Sequence, residues 1–252
     1  MNRHFLPDRT DAEVSWHQRR NFLAAAAAWT AAGGFSAAQA QERSNIIELQ
    51  GDALLNGARL LPGHTIQTGD QVSTGPGTTL VFVVGNASFK VRQNTQMAVE
   101  RASSINAVSI LRLFAGAVAS VWGRSSPRLI VTPTLTAGIR GTGVYTEVAR
   151  QQGGRSYFCN CYGTVDLFAP GEQLTSQSEY HQAFWAETEP RNGRMLTPAG
   201  ALNHTDEEME MLARLAGQRT AWQIKGHKGT RDGSGYMDEK AGQPHPATMP
   251  RR

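Results

Sequence analysis

Two cysteines and two histidines are the side chains of this sequence best suited to chemistry. Cys159 and Cys161, its two cysteines, sit in SYFCNCYGTVDL (156–167), where Tyr157 and the thiols alternate with Phe158, Asn160 and Tyr162. On a strand that alternation points both thiols to one face. Two residues of strand rise separate their Cα atoms by about 6.6–6.8 Å, the upper edge of what a disulfide tolerates, so a bridge between them needs local bending. Three readings stay open: a disulfide suited to an oxidising compartment, a two-thiolate metal or haem-linked site, and two buried free thiols. Cys-x-Cys is not one of the diagnostic zinc spacings. His181, in SEYHQAFW, and His204 extend the set. Cys159, Cys161, His181 and His204 together would satisfy zinc or copper(I) in ligand type, with geometry as the deciding requirement.

The elements that must position these residues are legible to different degrees. Thr205-Asp206-Glu207-Glu208 reads as a capping box directly after His204, with acidic residues at the positive end of the helix dipole. Met209, Leu212, Leu215 and Ala216 form one apolar stripe and Gly217 ends it, which predicts a helix over about 205–216. Trp222 and Ile224 are expected to fasten its end. From 225 to 252 the chain is rich in Gly, Pro and charge without periodicity, which predicts a disordered tail.

Upstream, short β-branched runs dominate. LIVTPTLTAGIRGTGVYTEV (129–148) reads as three strands, 129–131, 135–139 and 144–148, separated by turns at Thr132-Pro133 and at Arg140-Gly141-Thr142-Gly143. Arg140, flanked by glycines, is read chiefly as a corner residue tying loop carbonyls, and alternatively, with Gly141 and Thr142, as a contact for an anion or partner. Further runs at 46–49, 53–55, 78–84, 87–91, 109–114 and 117–121 complete an all-β body of sandwich or solenoid type. Gly85-Asn86 suits a two-residue hairpin. Residues 79–84, TLVFVV, lack alternation and are expected to be buried on both faces. Trp122 is read as a cap on the core.

Thr132-Pro133 followed by Ala137-Gly138-Ile139-Arg140-Gly141-Thr142 resembles the most characteristic segment of the FecR domain, the periplasmic domain named after the ferric-citrate regulator. Leu61-Pro62-Gly63, Gly69-Asp70, Ser73-Thr74-Gly75, Ala87-Ser88-Phe89 and the run Leu113-Phe114-Ala115-Gly116-Ala117-Val118 fit the same pattern, over roughly 51–167. The resemblance implies an all-β periplasmic module that engages another envelope protein. The family's full regulator joins a cytoplasmic anti-sigma domain, a membrane span, the FecR domain and a signalling domain. Here eighteen residues precede Arg19, too few for such a cytoplasmic domain, so transcription control by this chain alone is not expected.

The beginning of the chain reads as an address. Arg19-Arg20-Asn21-Phe22-Leu23, an alanine-rich stretch and Ala38-Gln39-Ala40 look like a twin-arginine signal peptide over 1–40, cleaved before Gln41. The apolar stretch falls short of the ~20 residues of a spanning helix, so no span is expected after cleavage. The formal charge of +4 comes from the ends of the chain, and residues 41–224 are formally neutral, which argues against nucleic-acid binding. The expected organisation is a signal peptide (1–40), a FecR-like all-β domain (41–168), a C-terminal extension with one helix (169–224) and a tail (225–252). Neither a Ser-His-acid arrangement nor a carboxylate pair stands out. The reading is therefore a non-catalytic periplasmic binding or scaffold module, or alternatively a metal-binding or redox-responsive sensor built on the four Cys and His residues.

Overall fold

The computed structural model describes residues 44–101, 107–124 and 128–228. The expected signal peptide lies outside the described residues, as does most of the expected tail. Among the described residues, fourteen strands and two α-helices follow in order: β1 (Ile46–Gln50), β2 (Ala53–Leu55), β3 (Ala58–Arg59), β4 (Gln71–Thr74), β5 (Thr79–Val84), β6 (Ala87–Val91), β7 (Gln96–Arg101), β8 (Val108–Trp122), β9 (Arg128–Val131), β10 (Thr136–Ala149), β11 (Arg155–Ala169), β12 (Glu172–Ser178), β13 (Gln182–Arg191), β14 (Arg194–Ala199), α1 (Asp206–Leu215) and α2 (Ala221–Lys225). The protein is mostly β, as its β-branched runs require. The strands join one mixed sheet with the path β14-β13-β11-β10-β9-β8-β7-β4-β2-β3, from which β1-β5-β6 branches at β8 and β12 at β11. Its pairs are antiparallel except β8 with β9.

Three long strands organise this sheet, and each changes partner along its length. The first part of β10 pairs with β9 and its second part with β8. Likewise β11 pairs with β13 through residues 156–160 and with β12 through 163–169. The expected turn at Arg140-Gly141-Thr142-Gly143 is instead an irregularity inside one continuous strand, where the β10–β11 register slips. A bulge bends a strand without ending it, so turn-forming residues need not mark a turn. At the same level of β11, Gly163 has φ +102°, and a Cβ there would lie 2.7 Å from Thr142 Cβ. Only glycine accepts both that backbone and that approach. The runs 109–114 and 117–121 similarly merge into β8.

Because side chains alternate, the central strands feed two apolar layers. Leu80, Phe82 and Val84 of β5 enter an inner core with Phe89, Leu111, Val118, Trp122, Phe158 and Val165. Val81 of the same strand points the other way, joining Ala119, Val121, Tyr145, Tyr157, Cys159 and Cys161. This is the two-faced burial expected of the unbroken apolar run. Trp122 is buried in the inner core, edge-on to Phe89 at 5.2 Å. Its indole N–H donates to Ser120 Oγ at 2.8 Å.

The outer layer is closed by the helices. Met209, Leu212 and Ala213 of α1 and Trp222 of α2 are its buried contributions. The capping box forms as predicted: the Glu208 amide donates to Thr205 Oγ1 (3.2 Å) and the Thr205 amide to Glu208 Oε2 (3.1 Å). Glu208 also receives Lys90 Nζ and Arg92 Nη2, each at 2.7 Å. At the other end of α1, Ser88 Oγ donates to the Leu212 carbonyl (2.7 Å). A second capping box, Thr220 with Gln223, starts the short α2. Residues 169–224 thus add β12, β13 and β14 to the sheet as well as supplying the helices.

Candidate metal centre

Cys159 and Cys161 lie in the half of β11 that is covered on both sides, and both are wholly buried. Strand alternation sends them into the outer layer, as their spacing implies. Each histidine reaches them through a left-handed residue. His181, between β12 and β13, has φ 43°, and Asn203, just before His204, has φ 62°. That conformation is uncommon for residues other than glycine, least so for asparagine, and for histidine it persists where the surroundings fix it. Here the His181 amide donates to the Cys161 carbonyl at 2.9 Å. Arg92 holds the Asn203 carbonyl at 3.0 Å, and the Asn203 side chain donates to Glu147 at 2.9 Å.

The four candidate ligand atoms converge to within 4.8 Å of one another. Cys159 Sγ is 3.6 Å from His181 Nδ1, Cys161 Sγ is 3.3 Å from His204 Nε2, the two ring nitrogens are 3.2 Å apart and the two sulfurs 4.0 Å apart. A tetrahedral ion with metal–sulfur bonds of about 2.3 Å and metal–nitrogen bonds of about 2.05 Å has edges of roughly 3.8 Å (S–S), 3.3 Å (N–N) and 3.6 Å (S–N). These four separations match the corresponding edges to within a few tenths of an ångström, and the two remaining sulfur–nitrogen separations lie within 4.8 Å. The two sulfurs, 4.0 Å apart, are not bonded to each other in this structure.

The outer contacts fix which nitrogen faces inward. His204 Nδ1 lies 2.6 Å from the Leu202 carbonyl, which can only accept, so Nδ1 carries the proton and Nε2 turns its lone pair to the sulfurs. His181 Nε2 lies 3.1 Å from Asp206 Oδ1, so that nitrogen donates and Nδ1 is left for the centre. A carboxylate behind a ligating histidine is a recurrent way of orienting metal ligands. Asp206 is itself held by the Tyr180 hydroxyl (3.0 Å) and an ion pair with Lys228. Aromatic rings wall the site: Tyr145 stacks on His204 with centroids 4.8 Å apart, and Trp222 on His181 at 5.2 Å.

The electrostatics follow from this packing. Burial opposes ionisation of both thiols, yet the hydrogen bond from Cys161, together with the imidazoles of His204 and His181 when these carry an inward proton that a metal would displace, holds Cys159 well below the ordinary thiol range. Burial, together with the adjacent Cys159 sulfur, pushes Cys161 well above it. Burial would likewise raise Asp206, but His181, Lys228 and Tyr180 outweigh it and keep its carboxyl far below the usual range. The buried cluster therefore already favours one thiolate, and a cation is the partner that would let both ionise.

The other predicted contact residues lie elsewhere in the bonding scheme. Arg140 is two-thirds exposed and ion-pairs with Asp166 across the β10–β11 ladder. Thr142 is buried with its hydroxyl on the Gly143 carbonyl (3.2 Å), and Gly141 has φ +65°. Arg140 ties side chain to side chain, not loop carbonyls. Asp206, missed as a site residue, was visible in the sequence only as the first residue of a helix.

No protein-family model and no curated protein matches the chain. Among solved structures, two of a candidate anti-sigma factor from Parabacteroides distasonis, at 1.65 and 2.50 Å resolution, align with TM-scores of 0.40 and 12% identity. The alignments cover 46% and 48% of this chain and 54% and 55% of that one, so the match spans about half of each protein. Among the described residues, no helix is long and apolar enough to cross a membrane.

Proposed function

We propose that this chain is an exported, non-catalytic β-module that holds one soft metal ion, of zinc or copper(I) type, through Cys159, Cys161, His181 and His204. One observation carries the reading: four donor atoms of the right kind lie within 4.8 Å of one another, with both imidazoles oriented from behind. Four protein ligands fill a tetrahedral shell, which suits a structural or sensing role; catalytic zinc sites characteristically keep a position open for water or substrate. The ion would join β11, the β12–β13 connection and the start of α1, so that loading the metal and seating the helices become one event. In this reading the chain resembles a periplasmic FecR-type module that works by engaging another envelope protein. The twin-arginine-like leader supports export in the folded state, which is compatible with a site filled beforehand.

Metal analysis and a free-thiol count on protein purified from the exported fraction test this. One equivalent of metal per chain, lost in Cys159→Ser, is the expected result. Absence of metal together with absence of titratable thiols would replace the reading with a disulfide-stapled binding module.

A further inference from the structure

The charges around the site go further than its ligand types, and the inference they carry rests on the metal-binding reading above. We propose that the site selects a divalent ion, zinc, over copper(I), and that Asp206 is the positioning residue that tunes it.

Two thiolates and two neutral imidazoles bring a charge of −2 to the centre. A divalent ion cancels it, whereas a monovalent ion leaves a net negative charge among groups that are almost wholly buried: Cys159, Cys161 and His204 and the side chains of His181 and Asp206. An uncompensated buried charge is strongly disfavoured. Among the described residues, the charged side chains whose contacts lead to the site supply no positive surplus to offset it. Asp206 is matched by Lys228. Near His204, Lys90 and Arg92 both ion-pair with Glu208, and a second carboxylate, Glu147, accepts from Tyr145 (2.9 Å) and Asn203 (2.9 Å). Glu207, 3.8 Å from Lys228 and largely exposed, adds only further negative charge. Geometry agrees, since a tetrahedral S2N2 set is characteristic of zinc, and donors within 4.8 Å of one another enclose a single ion rather than a cluster.

Asp206 acts through His181. It fixes the Nε2–H tautomer and increases the basicity of Nδ1, while Tyr180 and Lys228 hold the carboxylate in place. Loss of such an outer partner weakens metal binding by about 10–100-fold.

The test is metal identity in the full chain produced in medium containing both zinc and copper, followed by zinc and cobalt(II) titration of apo-protein against a chromophoric chelator. Zinc at one equivalent is expected in the isolated protein. Cobalt(II) should give intense tetrahedral visible bands with thiolate charge-transfer absorption. Asp206→Asn should bind zinc about 10–100-fold more weakly while keeping both the cobalt spectrum and the circular dichroism of the parent. Tyr180→Phe, which frees one side of the carboxylate, should show a smaller loss in the same direction. Copper in place of zinc would overturn the choice of ion yet leave the metal-binding reading standing. Unchanged zinc affinity in Asp206→Asn would overturn the role of Asp206, and binding of neither metal would overturn the parent reading itself.

Discussion

Stripping the metal from the folded protein is expected to lower its melting temperature by at least about 6 °C. The magnitude follows from where the ligands sit in the chain. Cys159 and His181 are 22 residues apart and His181 and His204 are 23 apart, so a bound ion closes two loops of similar length. Treated as cross-links, loops of that size each remove about 3 kcal/mol of conformational freedom from the unfolded chain. One loop gives a lower bound of about 3 kcal/mol and both give about 6 kcal/mol. For a body of this size, each kcal/mol moves the midpoint by roughly 2–4 °C. Differential scanning calorimetry with and without chelator, beside Cys159→Ser as the control that cannot respond, is the assay. An unchanged midpoint in protein whose metal content has fallen from one equivalent to none would refute the argument that the ion fastens the three segments.

Other expectations follow from the packing. Thr205→Ala removes one half of the capping box and should cost about 0.5–2 kcal/mol in chemical denaturation, the loss falling on the helix that follows His204. Burial alone would raise the Glu208 carboxyl, but Arg92 and Lys90 hold it below its ordinary value of 4.5. Its contribution is therefore complete above pH 4.5 and fades as the pH falls through the lower folded value; Glu208→Gln should flatten the acid limb of a stability profile measured between pH 6 and 3. Gly163→Ala places a Cβ against Thr142 at φ +102° and should destabilise by more than about 1 kcal/mol in urea titration. Arg140→Ala breaks a largely exposed ion pair and should change stability by less than about 1 kcal/mol without altering metal content.

Much of this centre could be read from the sequence because its ingredients are local. Cys159 and Cys161 share a face through strand alternation alone, and Thr205 through Glu208 announce a helix that begins beside His204. The convergence of His181 on those residues is not local: it depends on β12 turning back so that β13 pairs beside the cysteine half of β11. Asp206 was hidden for a different reason, since an acidic residue in a first helical turn is fully explained by the dipole. The second helix carried a signal of the same kind as the first, Thr220 with Gln223, but five residues are too few to show periodicity. The glycine pattern at Arg140–Gly143 misled in the opposite sense. Bends inside long strands use the residues that hairpins use, and only pairing distinguishes them.

The strand Thr79–Val84 has greasy side chains on both of its faces, one in the inner core and one beneath the helices. A fragment trimmed at residue 168, the expected end of the FecR-like domain, would therefore uncover Val81, Ala119, Val121, Tyr145 and Tyr157 to water. Such a fragment should be adhesive and poorly soluble, and anyone dissecting this chain would do better to cut beyond Lys228 than at the border suggested by resemblance.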